Sequence, residues 1–210
     1  MIQGFIFDYG NVIAEFHPER FLAAIASRTS LSPHELKHLF YHDTSLVVHY
    51  ESGIISSEEF FQRVVDTCRL EISREDFHFS FTNIFKPIAA TESLIERLKP
   101  HFKLGLLSNT NPWHFEAEIA AIKIFPLFDV VTLSYEVGAM KPSEKIYRDA
   151  LDKLQLKPDE CVYIDDIAEN VEAARRLGIC AIQYTSHEQL LTDLRSIEGM
   201  VELPPRISKT

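Results

Sequence analysis

The sequence predicts an α/β protein with a doubly wound, Rossmann-like parallel sheet core and an inserted α-helical cap domain. Short apolar runs alternate with amphipathic helical stretches in two parts of the chain, which is typical of an open parallel sheet. Between them, from about Pro18 to Phe85, helix-start signals recur without a convincing strand. The 210 residues are enough for one core domain with a modest insertion. We therefore expect a core of residues 1–15 and 88–210 and a cap of residues 16–87.

The core elements are predicted from the apolar runs and from the helical periodicity between them. Runs of this kind are expected to form buried parallel strands. In chain order the predicted elements are strand Gly4–Phe7, helix Thr91–Lys99, strand Lys103–Leu107, helix Pro112–Ile122, strand Asp129–Leu133, helix Ser143–Leu154, strand Cys161–Ile164, helix Ile167–Leu177 and strand Cys180–Gln183. Pro100 and Gly178 follow two of the helices and are expected to end them.

Serines mark the predicted helix starts in the cap. Ser32 is followed three positions later by Glu35, which is a capping-box pattern, and Ser56 and Ser73 are followed by acidic residues in the same way. The seams between cap and core are expected at 16–18 and 86–87, because proline disfavours helix in the residue before it. The tail from Leu203 onward is expected to be poorly ordered.

Composition and charge exclude several classes of protein. Lys and Arg number 21 against 31 Asp and Glu, and this net charge of −10 argues against binding to nucleic acid or to an anionic membrane. No apolar run approaches the roughly 18 residues that a membrane helix needs. The first apolar stretch is cut at Asp8, so we expect no secretory signal. Three cysteines without paired spacing favour a cytoplasmic protein. We expect a small-molecule partner, and a monomer or small homo-oligomer.

Polar side chains follow the predicted strands at the edge where open parallel sheets collect their function. Asp8 follows the first strand, Ser108 the second, and Asp165 and Asp166 the fourth, while Lys141 follows the third after a loop. Carboxylates gathered at one edge repel one another, so a divalent cation is their natural neutraliser. An all-oxygen site with room for waters and a phosphate favours Mg²⁺.

These residues lie in four motifs that resemble those of the haloacid dehalogenase (HAD) superfamily, a group dominated by magnesium-dependent phosphatases. The motifs, in order, are Phe5-Ile6-Phe7-Asp8 with Gly10-Asn11-Val12, then Leu106-Leu107-Ser108-Asn109, then Lys141-Pro142, then Tyr163-Ile164-Asp165-Asp166 with Asn170. The Asp-x-Gly-Asn-Val form and the string Glu51-x-Gly53-x-Ile55-Ser56 are similar to a branch that contains sugar-phosphate phosphatases with a helical cap.

The resemblance implies a role for each motif residue. Asp8 would attack phosphorus and form an aspartyl-phosphate. Mg²⁺ would be held by Asp8, the Gly10 carbonyl and Asp166, with Asp165 beside them orienting Lys141 or a metal-bound water. The remaining phosphoryl oxygens would be held by Lys141, Ser108 and the adjacent backbone amides, with Asn109 as a further substrate-binding residue.

The chain departs from the commoner family pattern at Gly10. The family's second aspartate, which protonates the leaving group and then activates water, is glycine here, and the lost factor is typically ~10²–10⁴ in rate. Glu15 and His17 are the nearest titratable candidates to replace it, and His17 is also a candidate substrate-binding residue. His114, next to Trp113 and just beyond the second motif, is a candidate substrate contact. In the cap, the polar candidates are His42, His49, Tyr50 and Glu51.

His34 and His38 match the H-E-x-x-H pattern of zinc proteases, which we discount. The glutamate of that pattern is Glu35, which already serves the capping box of Ser32, and no third ligand is specified.

We therefore expect a Mg²⁺-dependent phosphatase that hydrolyses a small phosphomonoester, with a sugar phosphate favoured by the resemblance. One alternative is a 2-haloacid dehalogenase, in which the same nucleophile attacks carbon without a metal. The pair Asp165-Asp166 speaks against it, because the family's dehalogenases lack that pair. A second alternative is a non-catalytic protein that keeps the fold for regulation or binding, which the glycine at position 10 motivates.

Overall fold

A computed structural model describes residues 1–41 and 45–197, so the tail beyond Leu203 and His42 lie outside the described residues. The strands are β1 (Gly4–Phe7), β2 (Ala14–Phe16), β3 (Phe85–Pro87), β4 (Lys103–Ser108), β5 (Val130–Leu133), β6 (Cys161–Asp165) and β7 (Cys180–Gln183). The helices are α1 (Pro18–Ala26), α2 (Pro33–Tyr41), α3 (Ser45–Glu51), α4 (Ser57–Cys68), α5 (Arg74–Thr82), α6 (Ala89–Leu98), α7 (Pro112–His114), α8 (Ser134–Val137), α9 (Glu144–Leu154), α10 (Ala168–Arg176) and α11 (His187–Ser196).

Five parallel strands form the central sheet in the order β5-β4-β1-β6-β7. One face carries α9 and α10, which bury residues such as Tyr147 and Val171 against it. The other face carries α6 and α11, which bury residues such as Leu94 and Leu190. The predicted doubly wound α/β fold is therefore confirmed, with all five predicted core strands in place.

The strand order places a topological switch point beside β1. From β1 the chain builds outward through β4 and β5 on one side, and then crosses to β6 and β7 on the other. Ligands of open α/β sheets bind outside the carboxyl ends of the strands at such a point. Asp8 directly follows β1 and Asp165 ends β6, so both stand at this point.

The inserted segment between β2 and β3 forms α1 to α5 around an aromatic core of its own. Phe21, Phe60, Phe77 and Phe81 are buried there, and the Phe21 and Phe77 ring centroids lie 5.4 Å apart in an edge-to-face contact. Such contacts add specific geometry to a large apolar burial. Trp113, which belongs to α7 of the sheet domain, also packs into this cluster.

The serines that were predicted to begin helices in the inserted segment do cap them. The Ser56 hydroxyl accepts from the Glu59 N–H at 3.2 Å, and that of Ser73 accepts from the Asp76 N–H at 3.1 Å. Ser32 and Glu35 bond reciprocally: the Ser32 N–H donates to the Glu35 carboxylate at 2.8 Å, and the Glu35 N–H donates to the Ser32 hydroxyl at 3.3 Å. Each bond satisfies an N–H that a helix leaves unpaired at its first turn.

Two local predictions differ from the structure. The predicted helix 112–122 is instead the single turn α7 followed by a π-helical turn at Phe115–Ile119, so the segment packs Trp113 on the inserted helices and Ile119 on the sheet. At the predicted seams, for which no strand was predicted, the chain forms the antiparallel strands β2 and β3, with Phe16 opposite Phe85. The sequence did not predict these strands, because each has only three residues, too few for an alternating apolar pattern, and its partner lies far away in the chain.

Candidate active site

Lys141 is the centre of a buried ionic cluster at the switch point. Its Nζ atom lies 2.7 Å from Asp8 Oδ1 and 2.7 Å from Asp165 Oδ2. Only 2 % of the Lys141 side chain is exposed, with 9 % of Asp8 and none of Asp165. Burying these charges is tolerable because they are paired, whereas each alone would cost several kcal/mol, on the order of the penalty for a buried ion.

A reciprocal amide contact positions Lys141. The Lys141 N–H donates to Asn109 Oδ1 at 2.8 Å, and Asn109 Nδ2 donates to the Lys141 carbonyl at 3.1 Å. Asn109 directly follows β4, so the loop after that strand holds the backbone of Lys141 against the sheet. The structure thus brings together the second and third motifs of the sequence.

Asp165 is saturated by hydrogen bonds. Besides Lys141, its carboxylate accepts from Asn170 Nδ2 at 3.1 Å, from the Ile167 N–H at 2.8 Å and from the Tyr163 hydroxyl. Although burial opposes ionisation, Lys141 and these donors hold the pKa of Asp165 below its ordinary value. Asp165 is therefore a fixed anion, and this geometry suits a residue that orients Lys141.

The three carboxylates of Asp8, Asp165 and Asp166 each offer an oxygen within 4.8 Å of the others. Burial raises the pKa of Asp8, and Lys141 offsets only part of that shift. Burial also raises the pKa of Asp166, with the charge of Asp165 adding to it, although Asn11 Nδ2 donates to Asp166 Oδ2 at 3.0 Å. One lysine therefore faces more negative charge than it balances, and the all-oxygen donor set fits a hard cation such as Mg²⁺.

A cavity of about 270 Å³ opens over this cluster. Its walls include Asp8, Gly10, Ser108, Lys141 and Asp166, which were all predicted as site residues from the sequence. Asn109 and His114 line it as well. The volume suits a small metabolite, because pockets for drug-sized ligands span about 300–1,000 Å³.

Glu15 and His17 lie outside the candidate active site. Neither occurs among the described residues that line the cavity. His17 Nε2 lies 3.0 Å from Glu15 Oε2, and Lys86 Nζ lies 3.2 Å from the same oxygen. These contacts lower the pKa of Glu15, first through the bond from His17 and then through Lys86, so the structure does not bring a proton-transfer group to the site at this position.

His114 reaches the cavity wall, but both of its ring nitrogens are engaged within the protein. Nε2 lies 2.9 Å from the Phe81 carbonyl, which can only accept, so this nitrogen carries the proton. Nδ1 lies 2.9 Å from Asn111 Nδ2 and accepts from it. Burial lowers the pKa of His114 to about 4. The ring is thus a neutral bridge between α7 and α5.

Of the polar candidates that the sequence offered in the cap, the structure places Glu51 in the cavity wall, whereas His49 and Tyr50 do not line it. Glu51 ends α3, the short helix that precedes Gly53. The signal for it was the string Glu51-x-Gly53-x-Ile55-Ser56, which was read as a family feature without an assigned position in space.

The fold and the site define an α/β protein with a doubly wound parallel sheet, an aspartate after its first strand and an acidic pair at the end of a later one. A family model described as haloacid dehalogenase-like hydrolase matches residues 2–178. The chain belongs to this family of HAD-like hydrolases.

Known proteins similar to the chain agree with this assignment. D-ribitol-5-phosphate phosphatase of Bacteroides thetaiotaomicron is 26% identical over 190 residues, which cover 87% of this chain and 92% of that protein. A structure described as a predicted HAD-like family hydrolase from Porphyromonas gingivalis superposes with a TM-score of 0.81 at 25% identity, over 94% of this chain and all of that one (100%).

A HAD family enzyme of Bacteroides thetaiotaomicron, crystallised with magnesium and inorganic phosphate, has a similar fold. Its TM-score is 0.73 at 21% identity, over 87% of this chain and 94% of that chain. Among the described residues of the present chain, no helix has the length and apolarity needed to cross a membrane.

Proposed function

We propose that the chain is a Mg²⁺-dependent phosphatase that hydrolyses a small phosphomonoester through an aspartyl-phosphate on Asp8. The observation that carries the proposal is the placement of Asp8: its carboxylate lies in the cavity wall, 2.7 Å from Lys141 Nζ and within 4.8 Å of the Asp165 and Asp166 oxygens. Lys141 together with a bound cation would offset the negative charge of these acids, so that an anionic ester could approach Asp8.

The chain's own residues supply most of the chemistry. Asp8 is the nucleophile, and its attack splits one difficult displacement into two easier ones. Lys141 and Ser108 bind phosphoryl oxygens, and Asn109 keeps Lys141 in place. Asp165 orients Lys141 through their 2.7 Å contact.

Asp8, Asp166 and the Gly10 carbonyl would hold Mg²⁺, with Asp165 next to them. When bound, the ion supplies Lewis-acid neutralisation of phosphoryl charge. Support for this assignment comes from the oxygen-only donor set and from the number of charges, since three neighbouring carboxylates face the single ammonium group of Lys141.

A sugar or polyol phosphate is the substrate class we favour. Support comes from the 26% identity to a D-ribitol-5-phosphate phosphatase along most of both chains, and from the small cavity. In this proposal residues 16–87 act as a cap over a core of residues 1–15 and 88–210. The position of Glu51 in the cavity wall supports that role, because a residue of the inserted helices then forms part of the wall.

The test is a panel of sugar and polyol phosphates assayed with and without Mg²⁺. We expect hydrolysis that needs Mg²⁺ and that is lost in Asp8→Asn, which keeps the shape of the side chain and removes the nucleophile. Asp152→Asn is the matched control, since Asp152 is exposed on α9 and lies away from the cavity. Activity that survives Asp8→Asn contradicts the mechanism. Halide release from a 2-haloacid without metal would instead favour the dehalogenase, and no turnover at all would favour a binding protein.

A further inference from the structure

The glycine at position 10 leaves the site without its usual proton-transfer carboxylate, and Glu51 lies where it could replace it. Glu51 and Gly10 line the same cavity, together with Asp8. Lys141 is near enough to the Glu51 carboxylate to act on its ionisation. Glu51 comes from the inserted helices, so this carboxylate reaches the cavity from a different part of the fold than Gly10 does.

The backbone at Glu51 is fixed to the sheet domain rather than left to the inserted helices alone. The Ser134 hydroxyl donates to the Glu51 carbonyl at 2.5 Å, and the same hydroxyl accepts from the Thr110 N–H at 2.9 Å. Thr110 belongs to the loop that carries Ser108 and Asn109. One serine therefore connects the end of α3 with the phosphate-binding loop.

Gly53 makes a second close contact between the same two parts of the protein. Its φ of +70° is a conformation that glycine adopts at little cost, and a Cβ atom there would lie 2.2 Å from the Tyr135 carbonyl oxygen. The turn Glu51-Ser52-Gly53 is thus packed backbone to backbone on Ser134 and Tyr135. This contact fixes the backbone from which the Glu51 side chain enters the cavity wall, which favours a defined placement of a proton-transfer group.

The chemical state of Glu51 fits the task. Within the described residues its carboxylate has no hydrogen-bond partner, and burial raises its pKa to about 7 while Lys141 opposes the shift. Besides Glu51 and Lys141, the titratable groups of the cavity wall are Asp8, Tyr9, Asp166 and His114. A carboxyl group that gains and loses a proton near neutral pH can serve as acid and then as base.

We propose that Glu51 is the general acid and general base of this phosphatase, in place of the aspartate that Gly10 lacks. The inference rests on the proposed function and assigns its missing proton-transfer step. In the first half-reaction, an Asp8 oxygen forms a bond to phosphorus as the ester P–O bond breaks, and the Glu51 carboxyl gives its proton to the departing oxygen to release an alcohol. In the second, a water oxygen bonds to phosphorus as the Asp8 O–P bond breaks, and the Glu51 carboxylate takes the water proton, which releases inorganic phosphate.

The first test compares Glu51→Gln with the wild type on two esters in the presence of Mg²⁺. An alkyl ester such as ribitol 5-phosphate has a poor leaving group, so its kcat/KM should fall by about 10²–10⁴-fold. An aryl ester such as p-nitrophenyl phosphate needs little protonation, so its kcat/KM should stay near the wild-type value. Its kcat should drop, with a burst of one equivalent of nitrophenol and phosphate trapped on Asp8, because water activation is now slow.

The second test restores a carboxylate at position 10. A Cβ atom at Gly10 would meet nothing within 4 Å, so Gly10→Asp fits without a clash. In the Glu51→Gln background, Gly10→Asp should recover much of the lost kcat/KM for the alkyl ester, and it should gain far less in the wild type. This non-additivity indicates that the two positions share one function. Glu71→Gln, an exposed residue of the inserted segment, is the control and should leave both esters unaffected.

The outcomes separate this inference from the proposed function. Mg²⁺-dependent turnover by the wild type and its loss in Asp8→Asn are established first, and their failure is a failure of the proposed function. Given that activity, an unchanged kcat in Glu51→Gln, or an equal rise in KM for both esters with no burst, would overturn the role of Glu51. The role of Glu51 would also be overturned if Gly10→Asp changed kcat/KM by the same factor in the wild type and in Glu51→Gln. That result is the one expected if Glu51→Gln merely loosens the fold.

Discussion

At the scale of single residues, Lys141 makes the acidic site possible before any cation binds. Lys141 is almost completely buried and lies 2.7 Å from each of two carboxylates. The attraction among the three charges therefore offsets part of the cost of removing them from water. Burial works to lower the pKa of Lys141, but Asp8 and Asp165 outweigh it and keep the pKa above its ordinary value. Lys141 therefore stays charged across the pH range in which a phosphatase would work.

Burial of His114 as a neutral ring should make the folded protein less stable at acidic pH. The pKa of His114 is about 4 in the folded protein against 6.5 for an exposed histidine, so between these pH values the unfolded chain binds more protons. The contribution of His114 to the free energy of unfolding should be complete above pH 6.5. It should be lost as the pH drops to about 4, which lowers the free energy of unfolding by roughly 3 kcal/mol. Urea unfolding at a series of pH values measures the slope.

The control for this prediction is a histidine on the surface. His114→Gln keeps an N–H for the Phe81 carbonyl and removes the titration, so its curve should be flatter over the same pH range. His101→Gln, at an exposed position, should follow the wild type. An equal slope in wild type and His114→Gln would show that other groups set the acid sensitivity.

The contacts of Asn11 are an example of a feature of the site that the sequence motif did not predict. Asn11 was quoted within the first motif, but its side chain bridges two elements: Nδ2 donates to Asp166 at 3.0 Å and Oδ1 accepts from the Phe16 N–H at 3.1 Å. Its φ of 55° places it in the left-handed region, which asparagine tolerates better than most residues. Motif spacing could indicate that Asp8 and Asp166 meet, but not how the turn between β1 and β2 supports them.

At the scale of elements, the contact between α3 and α8 holds the inserted helices against the sheet domain beside the cavity. Gly53→Ala would force a Cβ atom to within 2.2 Å of the Tyr135 carbonyl oxygen. The turn would have to move, and Glu51 with it, so we expect kcat/KM to fall by at least about 10-fold, in line with the sensitivity of catalysis to small displacements. Steady-state kinetics on the alkyl ester checks this expectation.

Gly178→Ala is the matched control for backbone strain. Gly178 also has a positive φ, of +86°, but a Cβ atom there would lie 3.6 Å from its nearest neighbour, an ordinary contact. Both variants should lose stability, by about 1 kcal/mol from the unfavourable φ alone. Only Gly53→Ala should also lose activity, and equal losses of activity would argue against a role for the α3–α8 contact.

The sequence predicted the elements of the sheet better than the elements that join it to the inserted helices. Apolar runs located all five core strands, because buried parallel strands are continuously hydrophobic. The strands β2 and β3 and the π-helical turn at Phe115–Ile119 were not predicted. Their conformation depends on partners distant in the chain, such as Phe85 for Phe16, and no local periodicity records such a partner.

At the scale of the whole molecule, the site lies where segments distant in the chain converge. Asp8, Ser108, Lys141 and Asp166 meet only because the sheet is folded, and the same four were predicted from their positions at strand ends. Glu51 was not placed, since its position depends on how the inserted helices pack on α8. The part of the site set by sheet topology could thus be predicted, and the part set by packing between the two cores could not.

Binding of Mg²⁺ should therefore stabilise the entire fold. A cation that binds the folded chain and not the unfolded one raises the free energy of unfolding by about 2.7 kcal/mol at roughly 100 times its Kd. We expect urea unfolding of the wild type to shift in this way on addition of Mg²⁺, and the shift to disappear in Asp166→Asn. Asp159→Asn, exposed and remote from the cavity, should keep it. A shift that persists in Asp166→Asn would place the ion elsewhere.

The short pair of β2 and β3 has a consequence for how such proteins diversify. The chain leaves and re-enters the sheet domain through two adjacent three-residue strands, with Ala14 opposite Pro87. Because the ends of the inserted segment lie side by side at this junction, we expect that a different segment with the same end spacing can replace it without a change in strand order. Such a segment has to accommodate the Trp113 ring, supply partners for Ser134 and His114, which contact Glu51 and Phe81 here, and bring its own proton-transfer group to the cavity. New substrate preferences can then evolve by exchange of one contiguous stretch of gene, while the nucleophile and its lysine stay unchanged.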